Sequence, residues 1–420
     1  MFDYDKWQEI WATIKKNKLR TALTMFGVFW GIFMLMVLLG SGNGLETGVR
    51  IGFESWATNA GFMWGNKTTM AYEGFKPGRY LRFYNEDIIA LRENVKGLDK
   101  LAPRNSLGSW RGGNNVFRGN KSGPFNVYGD YPDFQHIQIV NMVKGRHLND
   151  YDLKEKRKVA VLGQEVVNVL FESDEDPVGD YIKINGIFFQ VIGVFKSLRT
   201  DEMATRDMQT VYIPFSTFQQ AFNYGNRVGW FSFTAEEGIP VSLVEKNMKD
   251  VLKKRHHVNP EDHAAIGSNN LEEEFGRING LFFGISLFNW IVGIGTLFAG
   301  VIGVSNIMLI IVKERTKEIG IRKSMGATPL SIISLILQES IVLTAFAGYI
   351  GLVLGTFLLE GINYAMEKFD LNSDMFAHPG VDFRIALTAF GILIICGAFA
   401  GLIPARKAAS ISPIEAIRVE

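Results

Sequence analysis

The sequence predicts an α-helical membrane protein with four transmembrane helices and a large mixed α+β domain between spans one and two. Three observations carry this. Apolar residues gather in four runs, residues 21–42 (core Ala22–Leu39), 281–312, 332–359 and 386–403, and a helix crossing a bilayer needs about 20 mainly apolar residues. Residues 43–280, between the first two runs, are polar, mixed in charge and rich in turn signals. Basic residues crowd some of the short flanks of the runs and are sparse in others.

The flanks set the orientation. Lys6, Lys15, Lys16, Lys18 and Arg20 precede the first run, and Lys313, Arg315, Lys317, Arg322 and Lys323 lie between the second and third. Arg406, Lys407 and Arg418 follow the fourth, whereas the third connection offers only Lys368 and Arg384. Basic short loops stay on the cytoplasmic side. Both termini are therefore expected in the cytoplasm and the large domain outside. The rival for the first run is a cleaved signal peptide, but its apolar core exceeds the roughly 7–15 residues of such peptides. Net charge is +1 over 420 residues, which gives no global pull towards nucleic acid. The single cysteine, Cys396, sits in the fourth run, so the outer domain has no disulfide.

Taken in order, residues 1–20 carry Trp7, Ile10, Trp11 and Ile14 at i, i+3, i+4 and i+7, one face of a helix. Tryptophans beside basic residues suit an interfacial helix in the headgroup region; a short soluble helix packed on a partner is the alternative. "GSGNG", Gly40–Gly44, reads as a flexible exit from span one. In the domain, Asn85 is expected to cap a helix to about Val95. "KVAVLG" reads as a strand followed by a helix over Gln164–Phe171, and Tyr181–Phe195 as a hairpin about Asn185-Gly186. Val241–Arg255 reads as a helix. Leu271–Leu281, with Glu272, Glu273 and Glu274, reads as a polar stalk helix that continues into span two.

Motifs of catalysis are missing from the sequence. There is no G-x-x-x-x-G-K-[ST], G-x-S-x-G or H-E-x-x-H. His256, His257 and His263 form the one histidine cluster, which a solvated helix end explains as well as a metal does. No cofactor is expected on this chain. Glu339 is the only acidic or basic side chain well inside a span, two turns beyond the charged connection; it suits a structural partner for the nearby arginines better than a solute path. Asn289, Ser305 and Asn306 add modest polarity to span two. Four spans this apolar transmit movement more readily than they conduct a solute. Small residues recur four apart: Gly295, Ala299 and Gly303 on span two, Ala347, Gly351 and Gly355 on span three, Gly397 and Gly401 on span four. Such faces pack closely, either within the chain or, along span two, in a dimer seam.

The densest charge lies in "KERTKEIGIRKSMGATPLSI", Lys313–Ile332, between spans two and three. Glu318 and Arg322 stand at i, i+4 and Glu314 and Lys317 at i, i+3, pairs that support a short helix. Gly326, with Pro329 beyond, ends it before span three. Charges ringing Ile319 and Ile321 suit a docking element; a solvated loop is the plainer alternative.

"SNIMLIIVKERTKEIGIRKSMGAT", Ser305–Thr328, resembles the signature of the MacB/FtsX/LolC-type ABC transporter permeases, with Glu339 where that family has a glutamate. The tail "GLIPARKAASISPIEAIR", with Pro404, Pro413 and Glu415, resembles the family's closing motif. "VYGDYPDF", "KGRHL", "VAVLG" and "DPVGDYIKINGIFFQVIGVF" resemble the MacB-like periplasmic core domain. The resemblance implies a periplasmic domain over 43–280 and an FtsX-like permease domain over 281–420, with a coupling loop at 313–331 and a cytoplasmic tail at 404–420. It implies a bacterial inner-membrane, non-catalytic subunit that works as a dimer, with a second copy or paralogue, on two ABC ATPase subunits that bind MgATP. Coupling to the ATPase is then expected at Glu314, Arg315, Glu318, Ile319, Gly320, Arg322, Lys323 and Gly326. MacB carries its ATPase fused; here a separate ATPase chain is implied. Efflux with a periplasmic adaptor and an outer-membrane channel is the first expectation. Lipoprotein release and cell-envelope regulation follow, and an ATPase-independent membrane sensor is the alternative from another class.

Overall fold

The computed structural model describes residues 18–108, 114–199, 202–369 and 376–412. The interfacial helix expected over 1–20 and the tail residues Pro413, Glu415 and Arg418 lie outside these, apart from Lys18–Arg20, which begin the first long helix. The chain divides into two compact units, one formed by Arg50–Gly280 and the other by the remaining residues.

Among the described residues, the two largest cores of the inserted unit lie on one continuous set of strands. Four strands, β1 (Ala60–Gly65), β3 (Leu98–Ser106), β12 (Trp230–Ala235) and β13 (Ile266–Asn270), pair antiparallel in the order β3-β12-β1-β13. Helices α2 (Asn85–Asn94) and α7 (Val241–Arg255) cover them. Met63, Leu101, Phe231 and Phe233 from the strands meet Leu91, Val244, Met248 and Leu252 from the helices in an apolar core. A short pair, β2 (Phe83–Tyr84) with β11 (Arg227–Val228), borders it.

The second core lies inside a ring of strands. Its members are β4 (Asn114–Arg118), β5 (Lys121–Asp130), β7 (Val159–Gly163), β8 (Tyr181–Ile184), β9 (Ile187–Ser197) and β10 (Thr210–Pro214). They pair in the order β10-β7-β9-β8-β4-β5, and β5 closes back on β10. Closure is possible because β5 changes partner along its length. Lys121–Phe125 pairs antiparallel with β4, and Asn126–Asp130 runs parallel to β10. A closed ring leaves no unpaired edge. Val127, Leu162, Ile184, Phe189, Val191, Ile213 and Phe218 fill it. Outside the ring, β6 (Val140–Gly145) pairs with β9. Helices α3 (Asp150–Lys154), α4 (Gln164–Leu170), α5 (Glu202–Met208) and α6 (Phe215–Ala221) join the strands.

Local chemistry fixes several of these elements. Asn185 and Gly186 both take positive φ, 46° and 88°, as a two-residue hairpin turn with the right twist requires. Helix α7 occupies the residues Val241–Arg255 at which the sequence reads as a helix. Asn85 differs from expectation. Tyr84 is the cap residue and its N–H donates to Asp87 Oδ2 at 2.8 Å, while the Asn85 amide pairs with Gln219. His256 Nε2 lies 2.9 Å from Asp87 Oδ2, and His257 Nδ1 contacts Glu73. These two histidines are thus engaged by carboxylates at the end of α7.

An ion pair lies buried among the strands. Arg104 Nε and Nη2 donate to Asp130 Oδ1 and Oδ2 at 2.5 and 3.0 Å. The guanidinium also lies 4.1 Å from the Tyr128 ring centre and 3.8 Å from that of Phe134. Burial pushes the Asp130 carboxyl up to about 6, with Arg104 pulling the other way. Nearby, burial drives His147 down to about 4, aided by Arg104 and His136 and opposed by a hydrogen bond involving the backbone of Leu148. Its folded value lies below the unfolded value of about 6.5. Its contribution is therefore complete above pH 6.5 and is lost as pH falls towards 4, about 3 kcal/mol in all. Asp130, raised on folding, works in the opposite sense below pH 6. Comparison of His147→Phe with the parent isolates the histidine. Urea unfolding followed by tryptophan emission at pH 7 and pH 4 should show the variant losing about 3 kcal/mol less; equal losses would refute the assignment.

Among the described residues, the second unit holds four helices long and apolar enough to cross a membrane: α1 (Lys18–Phe53), α8 (Leu271–Glu314), α10 (Pro329–Lys368) and α11 (Phe383–Ala409). Helix α9 (Thr316–Ser324) connects α8 to α10. Gly40–Gly44 is helical rather than a flexible exit. The absence of side chains there serves packing: a Cβ at Gly42 would stand 2.9 Å from Asn289 Nδ2 and one at Gly44 2.9 Å from Pro379. Asn289 in turn donates to Leu38 O at 3.0 Å, tying α8 to α1.

Small residues sort by partner. A Cβ at Gly351 would stand 2.7 Å from Phe29 O and also strike Ile32, and one at Gly355 would stand 2.8 Å from Met36 Cβ, so α10 packs on α1. Gly397 and Gly401 face Thr344 and Ser340 of α10, and Ser340 Oγ donates to Gly397 O at 3.0 Å. By contrast, nothing lies within 4 Å of a Cβ at Gly295 or Gly303, and Ala299 is exposed. Pro404, expected to begin the tail, is buried inside α11, which continues to Ala409. Its ring removes one helix hydrogen bond but leaves Ala405 and Ala408 packed in the core.

Candidate functional site

The charged connection is built as a helix–turn–helix corner. Helix α8 ends at Glu314, and Arg315 leaves helical geometry at φ −96°, ψ 15° before α9 begins at Thr316. Thr316 Oγ1 donates to Val312 O and Lys313 O at 3.1 and 2.8 Å, which satisfies carbonyls freed at the break. Gly326 ends the segment at φ +97°, a conformation costly for other residues. Its N–H donates to Lys323 O at 3.1 Å. Thr328 caps α10 by accepting from Ser331 N, with Pro329 at the first helical position.

Charge is distributed on two sides of α9. Arg315 Nε donates to Glu318 Oε2 at 3.0 Å, and its Nη1 donates to Glu339 Oε2 at 3.3 Å. Glu339 is buried, and this carboxylate of α10 is held by the arginine that starts the corner. The expected Glu314–Lys317 spacing does not lie on one helix, because the break at Arg315 separates them. Lys323 Nζ donates to Ala409 O and Ile411 O, both at 2.7 Å, at the end of α11. A cavity of about 190 Å³ lies within the corner, between Arg315, Glu318 and Arg322 on one side and Ile332, Ile336 and Glu339 on the other.

Outward, Lys317, Glu318 and Ile321 are exposed, and Met325 and Leu330 are 77% and 76% exposed. Ile319 and Gly320 point the other way. Both are buried, and Ile319 joins the apolar cluster that includes Ile332, Ile336, Ala405 and Ala408. The corner thus brings Glu318, Arg322 and Gly326 to or near its surface and turns Ile319 and Gly320 inward. Met325 and Leu330 escaped the sequence reading. Their signal was an apolar residue on each side of the Gly326 turn, next to charge.

Two protein families match successive parts of the chain. The MacB-like periplasmic core domain family matches residues 21–251, and the FtsX-like permease C-terminal family matches 290–413. The chain is 26% identical over 97% of its length to a macrolide export ATP-binding/permease protein MacB of Bdellovibrio bacteriovorus, covering 60% of that protein. It is 28% identical over 98% of its length to a pyoverdine export ATP-binding/permease protein PvdT of Pseudomonas entomophila, covering 59% of it. The chain therefore spans about three fifths of these two relatives. It is also 26% identical over 97% of its length to an uncharacterized ABC transporter permease of Methanocaldococcus jannaschii, of which it covers 96%. With its four apolar helices, its inserted α/β domain and both family matches, the chain belongs to the MacB/FtsX-type ABC transporter permeases.

Proposed function

We propose that this chain is the permease subunit of a MacB-type ABC transporter and passes ATP-driven motion of a separate ATPase, which binds MgATP, through its spans to the inserted domain. The observation that carries the reading is the outward face of the corner. Ile321, Met325 and Leu330 stand exposed among Lys317, Glu318 and Arg322, the apolar-within-charge pattern of a docking surface. The membrane is the bacterial inner membrane, with the corner and both termini in the cytoplasm and the domain in the periplasm. Two copies, or this chain and a paralogue, assemble with two ATPases, and the open Gly295–Ala299–Gly303 face of α8 supports a seam there. The cargo is an antimicrobial or peptide-like compound, handed to a periplasmic adaptor and an outer-membrane channel. The export names of the MacB and PvdT relatives support that choice. Motion can pass only if the ATPase binds two permease states with different affinity.

Glu318→Lys tests the docking face. The residue is exposed, so reversal leaves melting within about 1 kcal/mol of the parent. Like charge across an interface costs several kcal/mol, so permease-stimulated ATP hydrolysis should fall about tenfold or more. Unchanged stimulation would remove Glu318 from the interface, and failure of the parent to co-purify with any ATPase would remove the function.

A further inference from the structure

Lys323 lies in the charged stretch, yet its ammonium is engaged inside the chain. It donates to Ala409 O and Ile411 O at 2.7 Å each. These carbonyls belong to the C-terminal end of α11, where Ser410 N and Ile411 N reach back to Arg406 O and Ala408 O. The last carbonyls of a helix have no donors within it, and the helix end carries about half a negative charge. A half-buried ammonium from another helix satisfies both demands through charge-assisted bonds. Ile319, one turn earlier on α9, enters the same apolar cluster as Ala405 and Ala408 of α11. Thus α9 is tied to the end of α11 by a cation and shares an apolar cluster with it, and the corner is held to α10 separately by Arg315 and Glu339.

From this geometry we infer that Lys323 is a positioning residue that makes α9 and the end of α11 move as one body. A displacement of the corner then enters the bundle through the fourth span as well as the third. The source of that displacement is the ATPase of the proposed function, on which this part of the inference rests. Lys323→Met keeps the stem and removes the cation; Lys323→Arg keeps the cation.

The tie itself is read without nucleotide. In the full chain in nanodiscs, amides of residues 405–412 should exchange with deuterium at least tenfold faster in Lys323→Met than in the parent, and remain protected in Lys323→Arg. Equal protection in all three would overturn the inference. Transmission is read with the ATPase present, by spin labels at exposed Ser324 and Ile403 in a Cys396→Ser background. The parent should give one narrow distance that MgATP does not change, and Lys323→Met a broad one. If Lys323→Met loses the ATPase on purification while exchange is unchanged, Lys323 is an ATPase contact and the inference is wrong. If the parent itself brings down no ATPase, the proposed function fails, and the exchange result still decides the tie.

Discussion

Asp130→Ala should cost the inserted domain about 3–5 kcal/mol, because it strands the Arg104 guanidinium in the interior. Arg104 is 6% and Asp130 0% exposed, and the two share a two-pronged bond. The rings of Tyr128 and Phe134 can hold the stranded cation only partly. Replacing both charges, as Arg104→Met with Asp130→Leu, removes the desolvation penalty along with the attraction. That double variant should recover most of the loss. Urea midpoints of the full chain, read by tryptophan emission, supply the comparison. A single variant no worse than the double would show that the pair contributes little coupling.

Gly351→Leu should be the most damaging change in the bundle. Its Cβ would meet the Phe29 carbonyl at 2.7 Å and the Ile32 side chain, and backbone cannot turn aside as a side-chain end can. Overpacking of this kind costs roughly 1–3 kcal/mol and sometimes more. The melting temperature in detergent should drop, and α1 should become accessible to protease. Gly295→Leu is the contrast. With nothing within 4 Å, it should leave the single chain within about 0.5 kcal/mol of the parent. If α8 is a dimer seam, the same change should abolish the dimer on gel filtration. Loss of neither melting temperature nor dimer would move the seam elsewhere.

Features written in one stretch of chain were legible in the sequence. The four spans announce themselves by length and apolarity. The hairpin at Asn185-Gly186 follows from local turn chemistry. Gly326 marks the end of α9 for the same reason. What could not be read depends on residues far apart in number. The partner change within β5 joins residues 126–130 to 210–214, and no local pattern encodes it. Arg104 and Asp130 look like ordinary surface charges until β3 and β5 are side by side. Lys323 reads as one more cation of a basic loop, because its carbonyl partners lie 86 and 88 residues away. Ile319 and Ile321 are indistinguishable by type, yet one faces the core and the other solvent. Gly40–Gly44 misled because glycine serves both flexibility and close packing.

Strand β1 has a consequence for how the protein comes to exist. It pairs with β12 and β13, whose residues come about 170 to 210 positions later. As the chain leaves the ribosome, Ala60–Gly65 must wait for nearly all of the insert to be synthesised before it finds a neighbour. Such distant pairing folds slowly and leaves sticky strands bare in the meantime. Because α8 begins at the residue after β13, the last strand of this domain and the start of the second apolar helix leave the ribosome one after the other.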